Sequence, residues 1–205
     1  MVKLSQIHAK TPKNKFNIEV YYDFIEKSKV KTNKQLFSEM CKSGCKNYNK
    51  KYSCPPFSPN FEDLIKNQNK EGLFVVLFQC NLTQINSTEY NKLRIANVVM
   101  KSKIDKIMRL LEKEFNTIFL STGSCRLCKP CKLVLKQPCK HPDERRYSLE
   151  STGVDCKALS ENLFGTKLLW YNKKAPEYTC VLCGILVDKN DVPEVINKLN
   201  ALIIL

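Results

Sequence analysis

Residues 73–80 read LFVVLFQC, a continuous apolar run that follows Glu71-Gly72. The run is short for a helix and rich in β-forming residues, which predicts a strand buried on both faces. From Thr88 to Phe115, apolar residues recur at the spacing expected of a long amphipathic helix. Residues 117–121 (TIFLS) then predict a second buried strand. Strand, helix and strand together predict a right-handed parallel crossover.

Directly after the second strand, Gly123 opens a cysteine-rich loop. The loop therefore lies at the C-terminal end of that strand, where open α/β sheets usually place their functional sites. The loop reads CRLCKPC over residues 125–131. Three thiols at this spacing, with a fourth further along the chain, are how bacterial ferredoxins hold a [4Fe-4S] cluster. Zinc sites more often take their ligands as two separated pairs, so the spacing favours zinc less. The candidate ligands are Cys125, Cys128, Cys131 and Cys139.

The residues after Cys139 predict a helix from Pro142 to Thr152, closed by Gly153. Arg145 and Arg146 would then lie close behind the loop, either paired with the charge of a cluster or an anionic ligand, or exposed to solvent. His141 offers a metal ligand in place of a cysteine, although a supporting hydrogen bond or a structural role fits better.

A second cysteine loop precedes the buried strand. Thr32 or Asn33 can cap a short helix that delivers Cys41 to its end, and Cys45 and Cys54 follow, the last before a double proline. This spacing predicts a second metal site; the alternative is a set of structural thiols. Only three ligands are visible locally. Either a distant cysteine completes the site or one iron is left open for a substrate, and the distant candidates are Cys80, Cys156, Cys180 and Cys183.

The remaining chain predicts shorter elements and buried thiols. Because residues three apart in a strand face opposite sides, Cys180 and Cys183 cannot easily hold one metal, and we interpret both as core residues. Cys80 and Cys156 receive the same interpretation. The other predicted elements are a strand over Phe16–Phe24, a helix over Ala158–Phe164, a hairpin of Lys167–Tyr171 with Tyr178–Val187, a helix over Pro193–Leu199, and an apolar tail, Ala201–Leu205, that docks or contacts a partner.

Length and composition indicate one domain. The chain has 205 residues, 43% of them hydrophobic, and eleven cysteines. We expect a single metal-binding domain over residues 1–205, with a basic segment at 1–35 and cysteine loops at 41–59 and 123–142. The lysine-rich first 15 residues contain no apolar run, so we expect neither a secretory signal nor a membrane association. In the cytoplasm, where thiols stay reduced, metal binding explains so many cysteines better than disulfides do.

The net charge of +14 is concentrated near the cysteines. Residues 1–53 contain 12 Lys/Arg against 4 Asp/Glu, and residues 125–146 contain 7 against 2. Cations near a thiolate-ligated cluster would stabilise its negative charge. The alternatives are a surface that binds nucleic acid and an ordinary lysine-rich solvated surface.

The two loops together carry a family pattern. It comprises Cys41-x3-Cys45, Asn47-Tyr48, Tyr52-Ser53-Cys54-Pro55-Pro56, Cys125-x2-Cys128-x2-Cys131-x7-Cys139-Lys140-His141-Pro142, Arg145-Arg146-Tyr147-Ser148-Leu149-Glu150 and Gly153-Val154-Asp155. This pattern resembles an uncharacterised prokaryotic family described only as predicted metal-binding proteins, a cysteine-rich domain of unknown function common in anaerobes and methanogens. The resemblance covers roughly Cys41 to Asp155. It implies metal binding at the seven loop cysteines and leaves the reaction open.

The sequence therefore predicts an α+β protein with a mixed sheet, a βαβ crossover, flanking helices, a C-terminal hairpin and one or two [4Fe-4S] clusters. The expected function is electron transfer or a redox reaction with a partner protein. One alternative is a zinc-stabilised module that binds nucleic acid. Another is a non-redox enzyme with an open-site cluster. No nucleophile–base arrangement, phosphate-binding loop or dinucleotide fingerprint is evident, so the sequence identifies no catalytic residue.

Overall fold

A computed structural model describes residues 3–204. Five strands form one sheet in the order β1-β2-β3-β5-β4. The strands are β1 (Lys3–Lys10), β2 (Lys15–Glu26), β3 (Gly72–Asn81), β4 (Phe119–Leu120) and β5 (Tyr178–Val187). The helices are α1 (Lys34–Gly44), α2 (Phe61–Asn67), α3 (Glu89–Glu114), α4 (Cys156–Phe164) and α5 (Val192–Ile204). No helix within residues 3–204 is both long and apolar enough to span a lipid bilayer.

The central strand β3 is buried on both faces, as its continuous apolar sequence predicts. Phe74, Val76 and Phe78 face one core layer, which also contains the apolar faces of α3 and α5. Leu73, Val75 and Leu77 face the opposite layer, which contains α2 and α4. Two apolar layers on one sheet explain why no polar residue alternates within this strand.

The predicted α+β class is confirmed, but the sheet is antiparallel rather than mixed. Every ladder between these strands is antiparallel. β3 and β4 do run in the same direction, since each is antiparallel to β5. The crossover through α3 therefore skips one position, which β5 occupies. The pairing of β4 with β5 joins segments about 60 residues apart in sequence, so the local pattern did not predict it.

Two predicted elements are wrong. Residues 142–152 do not form a helix: a turn covers 142–144, and a 3-10 helix covers Glu150–Thr152. The backbone N–H of Ser121 instead donates to the Tyr147 carbonyl at 2.7 Å, and the Ser148 and Ser151 hydroxyls accept hydrogen bonds from each other's backbone N–H groups. Short hydroxyl side chains that bond the backbone in this way compete with a helix.

The predicted hairpin is the second error. Residues 167–171 do not form a strand, and the neighbours of β5 in the sheet are β3 and β4. β1 was not predicted, since its sequence is mostly polar and only Ile7 and Ala9 are buried among its described side chains. The predicted C-terminal helix is confirmed and extends into the apolar tail, where Ile203 packs in the core. Leu205 lies outside the described residues.

Candidate metal centre

The second cysteine loop begins where β4 ends. Gly123 has φ +73°, which permits the turn that leads away from the sheet. A 3-10 helix over Lys132–Leu135 then brings the chain back towards Cys139. All four thiols of this loop are free and half-buried. They line one small cavity of about 20 Å³, and these thiols are Cys125, Cys128, Cys131 and Cys139.

The four thiols surround this cavity without converging on a point. Within residues 3–204, no group of three or more His, Cys, Asp or Glu side chains is close enough to hold one metal ion. A cluster of several irons holds its cysteine ligands further apart than a single ion does. Four thiols that line one cavity without meeting at a point are therefore compatible with a cluster. The donor set of four thiols fits an iron–sulfur cluster chemically.

Positive charge lies on the wall of this cavity. Arg145 lines it, and the guanidinium carbon lies 5.7 Å from the ring centre of Tyr52 and 5.3 Å from that of Tyr147. A hydrogen bond of 2.7 Å to the Tyr147 hydroxyl fixes the guanidinium further. Lys132 and Lys140 also line the cavity. These cations can offset the negative charge of a thiolate-ligated cluster.

His141 and Arg146 occupy different positions around the same loop. His141 lines the cavity and its Nδ1 lies 3.3 Å from the Glu144 carboxylate. Arg146 forms an ion pair with the largely buried Glu112 at 2.5 Å, and the same carboxylate accepts a hydrogen bond from the Phe119 N–H. Arg146 thereby ties the segment after the loop to α3 and β4.

The three thiols of the first cysteine loop lie near enough to influence one another electrostatically, although they do not converge on one point. Cys41 lies in the last turn of α1, Cys45 directly follows the helix, and Cys54 is buried in the turns beyond it. Burial raises the pKa of the Cys41 thiol, and the nearby charge of Cys45 raises it further. Burial also raises the pKa of Cys54, and the charges of Cys45 and Cys41 act in the same direction.

A half-buried lysine supports this loop. The Lys34 ammonium donates to the Ser58 carbonyl at 2.8 Å and to the Ser58 hydroxyl at 2.7 Å. Burial lowers its pKa, whereas the charges of Cys41 and Cys54 act in the opposite direction. Lys34 therefore places a cation near the thiols and at the same time fixes the chain that follows Cys54.

Direct hydrogen bonds join the two cysteine loops. The Cys125 N–H donates to the hydroxyl of the buried Ser53, the residue before Cys54, at 3.0 Å. The Lys51 ammonium donates to the Cys125 carbonyl at 2.7 Å and to the Ser124 hydroxyl at 3.0 Å. Tyr52 donates to the Gln137 carbonyl at 2.8 Å. Sequence reasoning assigned no role to Lys51, Tyr52 or Ser53, although Tyr52 and Ser53 belong to the family pattern.

Comparison with known families agrees with this geometry. The family model described as "Predicted metal-binding protein (DUF2284)" matches residues 23–186. The chain belongs to this family. No curated protein and no solved structure matches it. The matched range includes both cysteine loops, so the family description applies to the part of the chain that holds the seven loop thiols.

Of the four other cysteines of this predicted metal-binding protein, Cys80, Cys156 and Cys183 are buried core residues, as predicted, and Cys180 is half-buried against the core. Cys80 and Cys183 belong to the layer of α3 and α5. Cys156 and Cys180 belong to the opposite layer. The opposite orientation of Cys180 and Cys183 confirms that this pair does not face one metal.

Proposed function

We propose that the protein binds a [4Fe-4S] cluster on Cys125, Cys128, Cys131 and Cys139 and acts in electron transfer or a redox reaction. The observation that carries this proposal is the common cavity of the four thiols, with Arg145 on its wall. A single zinc ion would draw four thiolates to one point, at about 2.3 Å from the metal. The spacing of these four cysteines in the sequence favours a cluster, and zinc remains the alternative cofactor.

We further propose that Cys41, Cys45 and Cys54 hold a second metal or cluster. A cluster of this kind supplies one-electron redox chemistry when bound. Hydrogen bonds from the Cys125 N–H to Ser53 and from Lys51 to the Cys125 carbonyl bridge the two loops, so the residue next to Cys54 is in direct contact with Cys125. This proximity supports electron exchange between the sites. Three thiols also leave room for a substrate or a further ligand at the second site, which is the feature that an enzymatic role, redox or non-redox, would require.

The surface around the second loop suits a protein partner. Leu127, Val134 and Leu135 are exposed there, at 39%, 54% and 50%. Exposed lysines lie in the same loop, namely Lys129, Lys136 and Lys140. Exposed apolar and basic side chains in one loop favour an acidic redox protein, with association that weakens as salt increases. Binding to nucleic acid is the alternative use of this charge. The cytoplasm, where thiols stay reduced, is the proposed location.

A pair of matched variants tests the proposed cluster. Wild type, Cys131→Ala and Cys183→Ala would be purified without oxygen, and visible spectra would be recorded before and after dithionite. We expect Cys131→Ala to lose most of the reducible absorption, because a cluster ligand is missing. Cys183→Ala removes a thiol from the core and should retain that absorption. Colour unaffected by Cys131→Ala would contradict the ligand assignment.

A further inference from the structure

A cavity of about 480 Å³ lies beside the second cysteine loop and contains none of the seven proposed ligands. Its floor is the first part of β5, from Thr179 to Leu182, and one wall is α3. The segment 168–171 forms the opposite wall, and Gly123 marks the end next to the loop. A volume of this size, mostly apolar lining and a few polar groups are typical of small-molecule sites.

Five ionisable side chains line this cavity, and Lys101 is the one cation among them; the others are Glu150, Cys156, Tyr171 and Cys180. Lys101 is half-buried, and no residue within 3–204 accepts a hydrogen bond from its ammonium or forms an ion pair with it. Burial lowers its pKa and the charge of Arg126 lowers it further, while the charges of Glu150 and Asp105 act in the opposite direction. A partly desolvated ammonium without a protein partner gains most from a ligand that carries negative charge.

Cys156 and Glu150 define the other polar wall. Burial holds the pKa of the Cys156 thiol well above its usual range, and the Glu150 carboxylate adds to this effect. The thiol therefore stays protonated and offers no thiolate nucleophile. The thiol contributes a neutral surface, whereas the Glu150 carboxylate adds a negative charge to this wall, so an anion in this cavity depends on Lys101 and on the apolar walls.

The cavity continues towards the metal loop. A smaller cavity of about 130 Å³ shares Lys101 and Thr122 with it and is lined by Cys125, Arg109 and Arg126. Positive charge therefore increases from the large cavity towards Cys125. An anionic group held by Lys101 would lie at the junction of the two cavities, with its apolar body between α3 and the segment 168–171.

We propose that this cavity binds a small organic anion with an apolar or aromatic body, and that Lys101 holds its anionic group. Its role as the substrate of a redox step at the adjacent loop rests on the proposed function above. Binding itself does not, because no metal ligand belongs to the cavity.

The only tryptophan of the chain, Trp170, lines this cavity and provides a local reporter. The test uses energy transfer from Trp170 to 8-anilinonaphthalene-1-sulfonate, with N-phenyl-1-naphthylamine as an uncharged probe of similar shape. Lys101→Gln removes the proposed anion contact. Lys106→Gln is the matched control, because Lys106 is an exposed lysine of the same helix and lines none of these cavities. All variants are used as purified without oxygen, with metal bound.

We expect Lys101→Gln to weaken sulfonate binding about tenfold, as for one charged hydrogen bond, and to leave binding of the neutral probe unchanged. Asn97→Trp, which fills the cavity from α3, should abolish binding of both probes. Equal sulfonate affinity in Lys101→Gln and wild type would overturn the assignment of Lys101. Undiminished binding to Asn97→Trp would place the probe elsewhere and overturn the site. Metal analysis of the same samples tests the proposed cluster separately.

Discussion

Arg145 places a positive charge on the wall of the cavity that four thiols share, and two tyrosine rings hold it there. Reduction of a cluster adds one negative charge, which a neighbouring cation stabilises. We therefore expect Arg145→Gln to lower the reduction potential by some tens of millivolts, where about 59 mV equals a tenfold change in a one-electron equilibrium.

A redox titration followed by visible absorption measures this shift. Lys10→Gln serves as the control, since it removes one positive charge from the exposed end of β1. An equal shift in both variants would indicate an effect of net charge alone. A potential unchanged by Arg145→Gln would show that this guanidinium does not act on a redox centre.

Ser53 is the most direct contact between the two cysteine loops. Its hydroxyl accepts a hydrogen bond from the Cys125 N–H, so Ser53→Ala leaves that donor without its partner. We expect a loss of about 1–3 kcal/mol in the free energy of unfolding, measured with urea, and lower metal retention at Cys125. Ser102→Ala, on the exposed face of α3, is the control. Stability and metal content equal to the control would mean that the loops do not depend on this contact.

At the scale of single residues, the sequence predicted the thiols but not their supports. The spacing of Cys125, Cys128 and Cys131 is local, and so is the loop they form. Ser53 and Cys125 are 72 residues apart, and their contact depends on how the sheet is assembled. No pattern in either segment indicates that Ser53 and Cys125 are in contact.

Gly153 positions the helix that carries Cys41. It has φ +96°, and a Cβ atom there would lie 2.8 Å from the Cα of Lys34, at the start of α1. The Asn33 N–H also donates to the Gly153 carbonyl at 2.7 Å, so the two segments are in close contact. Any side chain at 153 must displace the first turn of α1.

We expect Gly153→Ala to lower the free energy of unfolding by more than the roughly 1–2 kcal/mol of a left-handed conformation alone, and to reduce metal occupancy at the first loop. Gly165→Ala is the matched control, because Gly165 has φ +64° with open space around its Cβ position. Urea unfolding and metal analysis of both variants compare the two effects. Equal losses would contradict the proposed dependence of the first loop on this contact.

Among the elements, those with a strong local pattern were predicted well. α3 has buried residues at the expected helical positions, and Asn33 caps α1 through a hydrogen bond to the Leu36 N–H. The segment 142–152 was predicted wrongly because its Pro, Asp, Glu and Gly residues resemble helix ends. In the structure, pairing with Ser121 determines its conformation instead.

The buried thiols make the whole molecule sensitive to alkaline pH. Burial raises the pKa of Cys80 and of Cys180 to about 12, from an ordinary value of 9.0. The folded state therefore keeps both protonated, while the unfolded chain ionises them near the ordinary value. The stability they contribute is complete below pH 9 and is lost between about pH 9 and 12, by up to about 1.4 kcal/mol per pH unit for each thiol.

Urea unfolding at several pH values above 8 measures this loss. We expect a smaller decline of stability with pH in the double variant Cys80→Ala, Cys180→Ala, even though its stability at pH 8 is lower. The lowered pKa values of Lys34 and Lys101 act in the opposite direction and are present in both proteins, so the difference in slope reports the two thiols. Identical slopes would contradict the effect of burial.

The arrangement of the whole sheet was the least predictable feature. Each predicted strand except 167–171 is present, but their order places β5 between β3 and β4. This order converts a simple crossover into one that skips a strand. It results from pairing between distant segments, and a sequence read window by window contains no information on such pairing.

The metal content per chain tests most directly whether the cysteine loops hold iron–sulfur clusters. Iron, acid-labile sulfide and zinc would be measured in protein purified without oxygen. We predict about four iron and four sulfide ions for a cluster on the second loop, and about eight of each if the first loop also holds one. Zinc in a colourless protein without iron or sulfide would contradict the redox account and favour a zinc-stabilised module.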